Sequence, residues 1–299
     1  MFGFLNFGRL FVPPALDGKN LNTDPEVLMW TEKYARALVA RLRDIKNIVM
    51  WDLGNECNCL ERVKTRAEAY VWTATVRNAI LSADNTRPIS SGMHSLVCDN
   101  DSGVWQLCDQ GELCDFVTMH PYPSAAVNGD IEPYNELRMT ITPTAQSEYS
   151  AGVSKKPCII QESGTFSPML GNERMSADFL RVNVLSAFAN NLGGFLWWCG
   201  MEHFIATETC CGFDPEKSEE FYRIYKEFGK NIAESYDVKC DNPYIGITEL
   251  DSDSGKIFCA INYSEKQQKF DVENKDDFKI LYGALGDVPP CDGVILQKK

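Results

Sequence analysis

The sequence has no run of about eighteen apolar residues, so nothing in it is expected to span a bilayer. It also lacks a basic surplus: 42 acidic against 29 basic residues leave a net charge of −13. Nucleic acids and anionic membranes are bound largely through Lys and Arg, so neither is expected as a partner. A leader is not expected either. Residues 1–16 are apolar, but they carry no basic n-region and are broken by Arg9 and two prolines. The twelve cysteines follow no regular framework. In a core-forming chain they read mostly as small buried hydrophobes in a reducing compartment, and a cytoplasmic location is expected. Cys57-Asn-Cys59 and the vicinal Cys210-Cys211 lack a second CxxC or a His pair at ligand spacing, so no metal site is expected.

What is present is alternation. Of the 299 residues, 44% are hydrophobic and 24% charged, an ordinary globular balance. Short apolar runs at 1–6, 47–53, 88–91, 116–120, 157–161 and 193–199 suit strands buried on both faces. Helical patterns lie between them. Thr23-Asp24-Pro25-Glu26 reads as an N-cap with proline at the first helical position, opening a run that carries Leu28, Tyr34, Leu38 and Leu42. Further helices are expected near 62–82, 134–150, 176–190 and 216–235. Strand-helix alternation implies right-handed crossovers and a parallel sheet. After Asp241 the texture changes to short strand-like pieces at 256–262, 269–272, 278–282 and 294–297, which read as a small antiparallel β domain. The expected division is 1–237 and 238–299.

Several of the apolar strands deliver chemistry at their exits. Trp51-Asp-Leu-Gly-Asn55-Glu56 and Ile160-Gln161-Glu162-Ser163-Gly164 each end a buried strand in a carboxylate. In a parallel barrel all such exits open on one face, where active sites form. Two facing carboxyl groups suffice for glycoside hydrolysis, one protonated to assist the leaving oxygen and one ionised to attack. A separation of ~5–5.5 Å gives retention and ~6.5–9.5 Å gives inversion. A third exit, His120-Pro-Tyr122-Pro, holds two hydrogen-bonding rings on a stiff loop. The fourth, Gly194-Phe-Leu-Trp197-Trp198, turns one indole towards the mouth and the other into the core.

Together these motifs resemble the clan A glycoside hydrolases, the family 5 enzymes and their relatives, over about residues 1–235. The resemblance implies a (β/α)8 TIM-type barrel. Glu56 after strand four would be the general acid/base, and Glu162 after strand seven the nucleophile of a retaining β-glycosidase acting on β-mannosides or β-glucosides. Asn55 would bond the sugar 2-hydroxyl, His120 the substrate, Tyr122 the nucleophile, and Trp197 would line the subsite at the cleaved bond. No metal or organic cofactor is implied, and the partner is an oligo- or polysaccharide.

With residues 47–53 as strand four, strands three to eight are visible and the first two units are missing, so an N-terminally truncated barrel is expected. Its open apolar edge would favour self-association. A non-catalytic carbohydrate-binding or scaffold remnant of such a barrel is the alternative. His94 and His203 follow strands and can reach the mouth, although loop histidines satisfied by their surroundings are the plainer reading. Glu202 and the loop 207–213 are further candidates for shaping a subsite.

Overall fold

The computed structural model describes residues 5–6, 9–10, 12–95, 103–123, 132–167, 172–198, 203–205, 208–210, 242–252 and 255–299. The chain forms two compact units, Met1–His120 with Gln146–Ile159, and Pro121–Ala145 with Ile160–Lys299.

In the first unit the helices start where their residue types allow. The Asp24 carboxylate accepts from the N–H groups of Glu26 and Val27, and Pro25 takes the first position of α1 (Pro25–Leu42). α2 (Arg66–Ala83) opens on a capping box between Thr65 and Glu68. Between the helices Trp51–Asp52 pairs in parallel with Ile89–Ser90, and Ser90 bridges in parallel to Phe116. The strand expected at 47–53 is this short for a visible reason. The Arg87 guanidinium donates to the carbonyls of Ile48 at 2.7 Å and Ile45 at 3.0 Å, which occupies acceptors that a longer ladder would use.

α3 (Leu107–Leu113) has little apolar periodicity and was not expected. Arg66 holds it by a two-pronged contact with Asp109 at 2.8 and 2.6 Å. The core joins Leu53, Trp72, Val76, Ile89, Met93 and Trp105, with the two indoles edge to face at 5.9 Å. Burying each of these large side chains is worth roughly 1.5–3 kcal/mol.

The run 1–6, expected as a parallel barrel strand, departs from that in its described part. Leu5–Asn6 pairs antiparallel with Arg9–Leu10. A connection this short permits a hairpin, whereas a parallel pair needs a crossover of about a dozen residues.

Two elements run from one unit into the other along the chain. α4 (Leu137–Ser154) starts in the second unit and ends in the first. The strand Cys158–Ser163 starts in the first unit, where Val117 of the Val117–Met119 strand donates to Pro157 O at 3.1 Å. It ends in the second, where Trp198 N donates to Ser163 O at 2.9 Å, beside the Gly194–Trp197 strand.

In the second unit α5 (Glu173–Ala189) lies against the C-terminal strands. These form an antiparallel sheet in the order Ile245–Ser252, Gly255–Asn262, Asp292–Lys298 and Phe278–Tyr282, as their alternation predicts. Val182, Leu185 and Ala189 of α5 share one core with Ile257, Cys259 and Ile261. A buried chain of hydroxyls stitches the same region: Thr144 to Ser186 at 2.6 Å and Ser186 to Tyr263 at 2.7 Å. Among the described residues no helix is long and apolar enough to cross a membrane. The helix expected at 216–235 lies outside the described residues.

Candidate active site

Glu56 sits where the backbone turns sharply out of the Trp51–Asp52 strand. It has φ 49° and ψ 48°, the left-handed region that costs a non-glycine residue about 1 kcal/mol or more. The surroundings hold it there. Cys57 N donates to Gly92 O at 3.1 Å, and Cys59 N donates to Glu56 O at 2.8 Å. Asp52 accepts from Gly54 N at 2.8 Å and from the hydroxyl of Ser90. Gly92, at φ 61°, leaves the room this requires, since a Cβ there would lie 2.0 Å from Gly54 O.

The Glu56 carboxyl meets two imidazoles. Nδ1 of His120 is 2.8 Å from Glu56 Oε1, and Nε2 of His94 is 3.8 Å from the same oxygen. The two rings stand edge to face at 5.9 Å. His120 is buried, whereas the His94 side chain keeps 24% of its surface exposed. Burial pushes the Glu56 carboxyl up, but the His120 hydrogen bond and the electrostatic pull of both imidazoles outweigh it, leaving the group below its ordinary value. Asn55 is exposed beside it.

This arrangement can hold one proton in two ways. With Nδ1 protonated, His120 donates to a carboxylate. With the other tautomer, its Nδ1 lone pair accepts from a protonated Glu56. With Oε1 held by His120, the other carboxyl oxygen can lose or gain a proton, which is what general acid/base catalysis asks for.

In the second unit Glu162 lies near the end of a regular six-residue strand and is half-buried. The next residue, Ser163, is tied on both sides: its hydroxyl donates to Pro121 O at 3.3 Å, and its carbonyl accepts from Trp198 N. The strands approach so closely here that a Cβ on Gly164 would lie 2.1 Å from Trp198 O. Tyr122 is half-buried next to Pro121.

The two tryptophans divide as strand alternation requires. Trp197 is 7% exposed and packs edge-on against Phe179 at 6.2 Å, in a cluster with Tyr134, while Trp198 is half-buried. The Trp197 ring, expected to line the subsite, also packs in this cluster.

His94, read first as a satisfied loop residue, stands at Glu56. The signal for it was Gly92 two residues upstream, a glycine at a strand exit where backbones meet closely. Glu202 and Cys211 lie outside the described residues, as does most of the loop 207–213.

Cys57, Cys114, Cys158, Cys259 and Cys291 are buried, while Cys59 and Cys108 are exposed. Burial pushes the Cys114, Cys158, Cys259 and Cys291 thiols up to about 12, so these act as hydrophobes and not as nucleophiles.

No protein-family model matches this chain, and no curated protein matches it by sequence. Solved structures do match. The exo-beta-1,4-mannosidase Op5Man5 from Opitutaceae bacterium strain TAV5 is 24% identical over 66% of this chain, with a TM-score of 0.57. GH5_18 from Streptomyces cattleya, solved with GlcNAc, is 16% identical over 78%, with a TM-score of 0.67. The endo-beta-1,4-mannanase from Thermotoga petrophila is 15% identical over 93%, with a TM-score of 0.56. The chain spans 37%, 62% and 66% of the lengths of these three proteins. At these identities the likeness speaks for the fold alone: the chain is α/β, and its structural neighbours are barrel enzymes of glycoside hydrolase families 5 and 30.

Proposed function

We propose that this chain is a retaining β-glycosidase that cleaves β-mannosidic bonds, with Glu162 as nucleophile and Glu56 as general acid/base. The observation that carries the reading is Glu56 itself: a carboxyl in a strained backbone position, hydrogen-bonded to a buried imidazole, at the exit of a parallel strand. Three similar structures support the sugar: an exo-β-1,4-mannosidase, an endo-β-1,4-mannanase and a GH5_18 enzyme in complex with Manb1-4GlcNAc. On this reading the strands from Trp51–Asp52 to Gly194–Trp197 are the fourth to eighth of the barrel.

The chemistry follows from the two carboxyls. Glu162 attacks the anomeric carbon as Glu56 protonates the departing oxygen, giving a glycosyl-enzyme. Glu56, now ionised, takes a proton from water as the water's oxygen displaces Glu162. His120 holds Glu56 Oε1 throughout, and the catalytic proton leaves and returns at the other carboxyl oxygen. Asn55 bonds the 2-hydroxyl, a contact that strengthens as the ring flattens. Retention requires the two carboxyls to work ~5–5.5 Å apart.

The test is hydrolysis of aryl β-glycosides, β-mannan and β-glucan by the wild-type chain and by Glu162→Ala. Turnover of a β-mannoside that disappears in the variant is the expected result. Equal activity in the two proteins would sink the hydrolase reading in favour of a non-catalytic sugar-binding barrel.

A further inference from the structure

His94 is placed with unusual care for a residue on a loop. Its own N–H donates to Asn58 Oδ1 at 2.8 Å. On one side, Met93 N donates to Thr118 Oγ1 at 2.9 Å while that hydroxyl donates back to Met93 O at 3.1 Å. On the other side, the Ser95 hydroxyl donates to Gln146 Oε1 at 3.1 Å. Asn58, Thr118 and Ser95 are buried, as is Met93. The loop is therefore fixed through buried polar groups on each side of a residue whose own ring remains partly in solvent.

What that ring can reach is set by one distance. Nε2 of His94 and Oε1 of Glu56 are 3.8 Å apart. An oxygen at hydrogen-bonding distance of roughly 2.6–3.2 Å from Glu56 can then also lie within reach of His94 Nε2. His120, on the other flank, is buried and already bonded to Glu56. Asn55 is assigned to the 2-hydroxyl of the sugar that stays on the enzyme. Among the described residues, His94 is the partly exposed imidazole beside the acid.

We infer that His94 binds the departing sugar, through a hydroxyl next to the glycosidic oxygen that Glu56 protonates. This rests on the reading of Glu56 as the acid. The consequence is specificity: the enzyme favours leaving groups that carry hydroxyls over bare aryl ones.

The experiment compares wild type, His94→Ala and His94→Gln on 4-nitrophenyl β-mannoside, whose leaving group has no hydroxyl to bind, and on β-1,4-mannotriose. Loss of one hydrogen bond, about 1.4 kcal/mol, predicts a roughly tenfold fall in the trisaccharide-to-aryl ratio of kcat/KM for His94→Ala. His94→Gln, which keeps a donor, recovers part of it. A parallel calorimetric titration in a Glu162→Gln background reads the same contact without turnover, as weaker mannotriose binding once His94→Ala is added. An unchanged ratio together with unchanged mannotriose affinity overturns the inference. A lower ratio with unchanged mannotriose affinity also overturns it, because His94 would then act through Glu56, on which the aryl leaving group depends little. A wild-type chain that neither cleaves nor binds mannotriose removes the underlying hydrolase reading instead.

Discussion

Two strand exits carry the same residue type and are built in opposite ways. Glu56 leaves a two-residue strand through a left-handed turn and is gripped by side chains: two imidazoles, and the neighbouring Asp52–Ser90 and Asn58–His94 contacts. Glu162 rides on a six-residue strand whose next residue, Ser163, is tied to the backbone of Pro121 through its hydroxyl and of Trp198 through its carbonyl. The difference matches the work proposed for each. A nucleophile needs a fixed line of approach, which a ladder provides. A group that must give a proton and then take one needs neighbours that hold it in both charge states.

The sharpest way to break this comparison is to remove each carboxyl and supply azide in its place. Glu162→Ala is expected to lose on the order of 10⁴-fold or more in turnover. Azide then attacks from the vacated face and forms the α-glycosyl azide. Glu56→Ala with a good aryl leaving group still forms the glycosyl-enzyme, and azide gives the β-glycosyl azide. Swapped products would reverse the two roles.

The next effect tests the turn. Gly92→Ala puts a methyl against Gly54 O, and the segment bearing Glu56 must shift. A displacement near 1 Å predicts about a 10²-fold fall in kcat/KM, with little change at the Glu162 strand. Trapping of Glu162 by a slow substrate that persists in Gly92→Ala would support that division, and its loss would contradict it.

A change in pH dependence follows from the imidazole contact. The first step needs Glu56 protonated, so kcat/KM falls as Glu56 ionises. His120 holds the Glu56 carboxyl down against the effect of burial. His120→Ala therefore raises it, and the descending limb moves to higher pH for substrates with sugar leaving groups. A limb that stays put or moves down would detach His120 from the acid.

The smallest effect is a control. Thr65→Ala removes one half of the capping box on α2 and is expected to cost about 1 kcal/mol in thermal or denaturant unfolding. It should leave kcat/KM unchanged. A change would tie the setting of Glu56 to helix stability as well as to its own loop.

Much of this was legible before any coordinates. Pro25 after Asp24 marks a helix start from residue type alone, and carboxylates after apolar runs mark strand exits. The C-terminal strands show in their alternation, but their shared core with α5 does not, because Val182, Leu185 and Ala189 read equally well as facing the barrel. The strand expected at 47–53 is shorter in the structure, where Arg87 claims the carbonyls of Ile45 and Ile48. Trp197 and Trp198 could be divided by alternation but not assigned, since the choice rests on where Phe179 and Tyr134 lie. The pairing of His94 with Glu56 depends on two loops distant in sequence, and Gly92 marks only the strand exit, not the partner.

The central claim is that Glu162 becomes covalently attached to the sugar. Incubation with a 2-deoxy-2-fluoro-β-mannoside carrying a good leaving group, followed by digestion and mass spectrometry, reads this directly. One label per chain, on Glu162, is the predicted result. Label on Glu56, or no label on a chain that still hydrolyses β-mannosides, would contradict it.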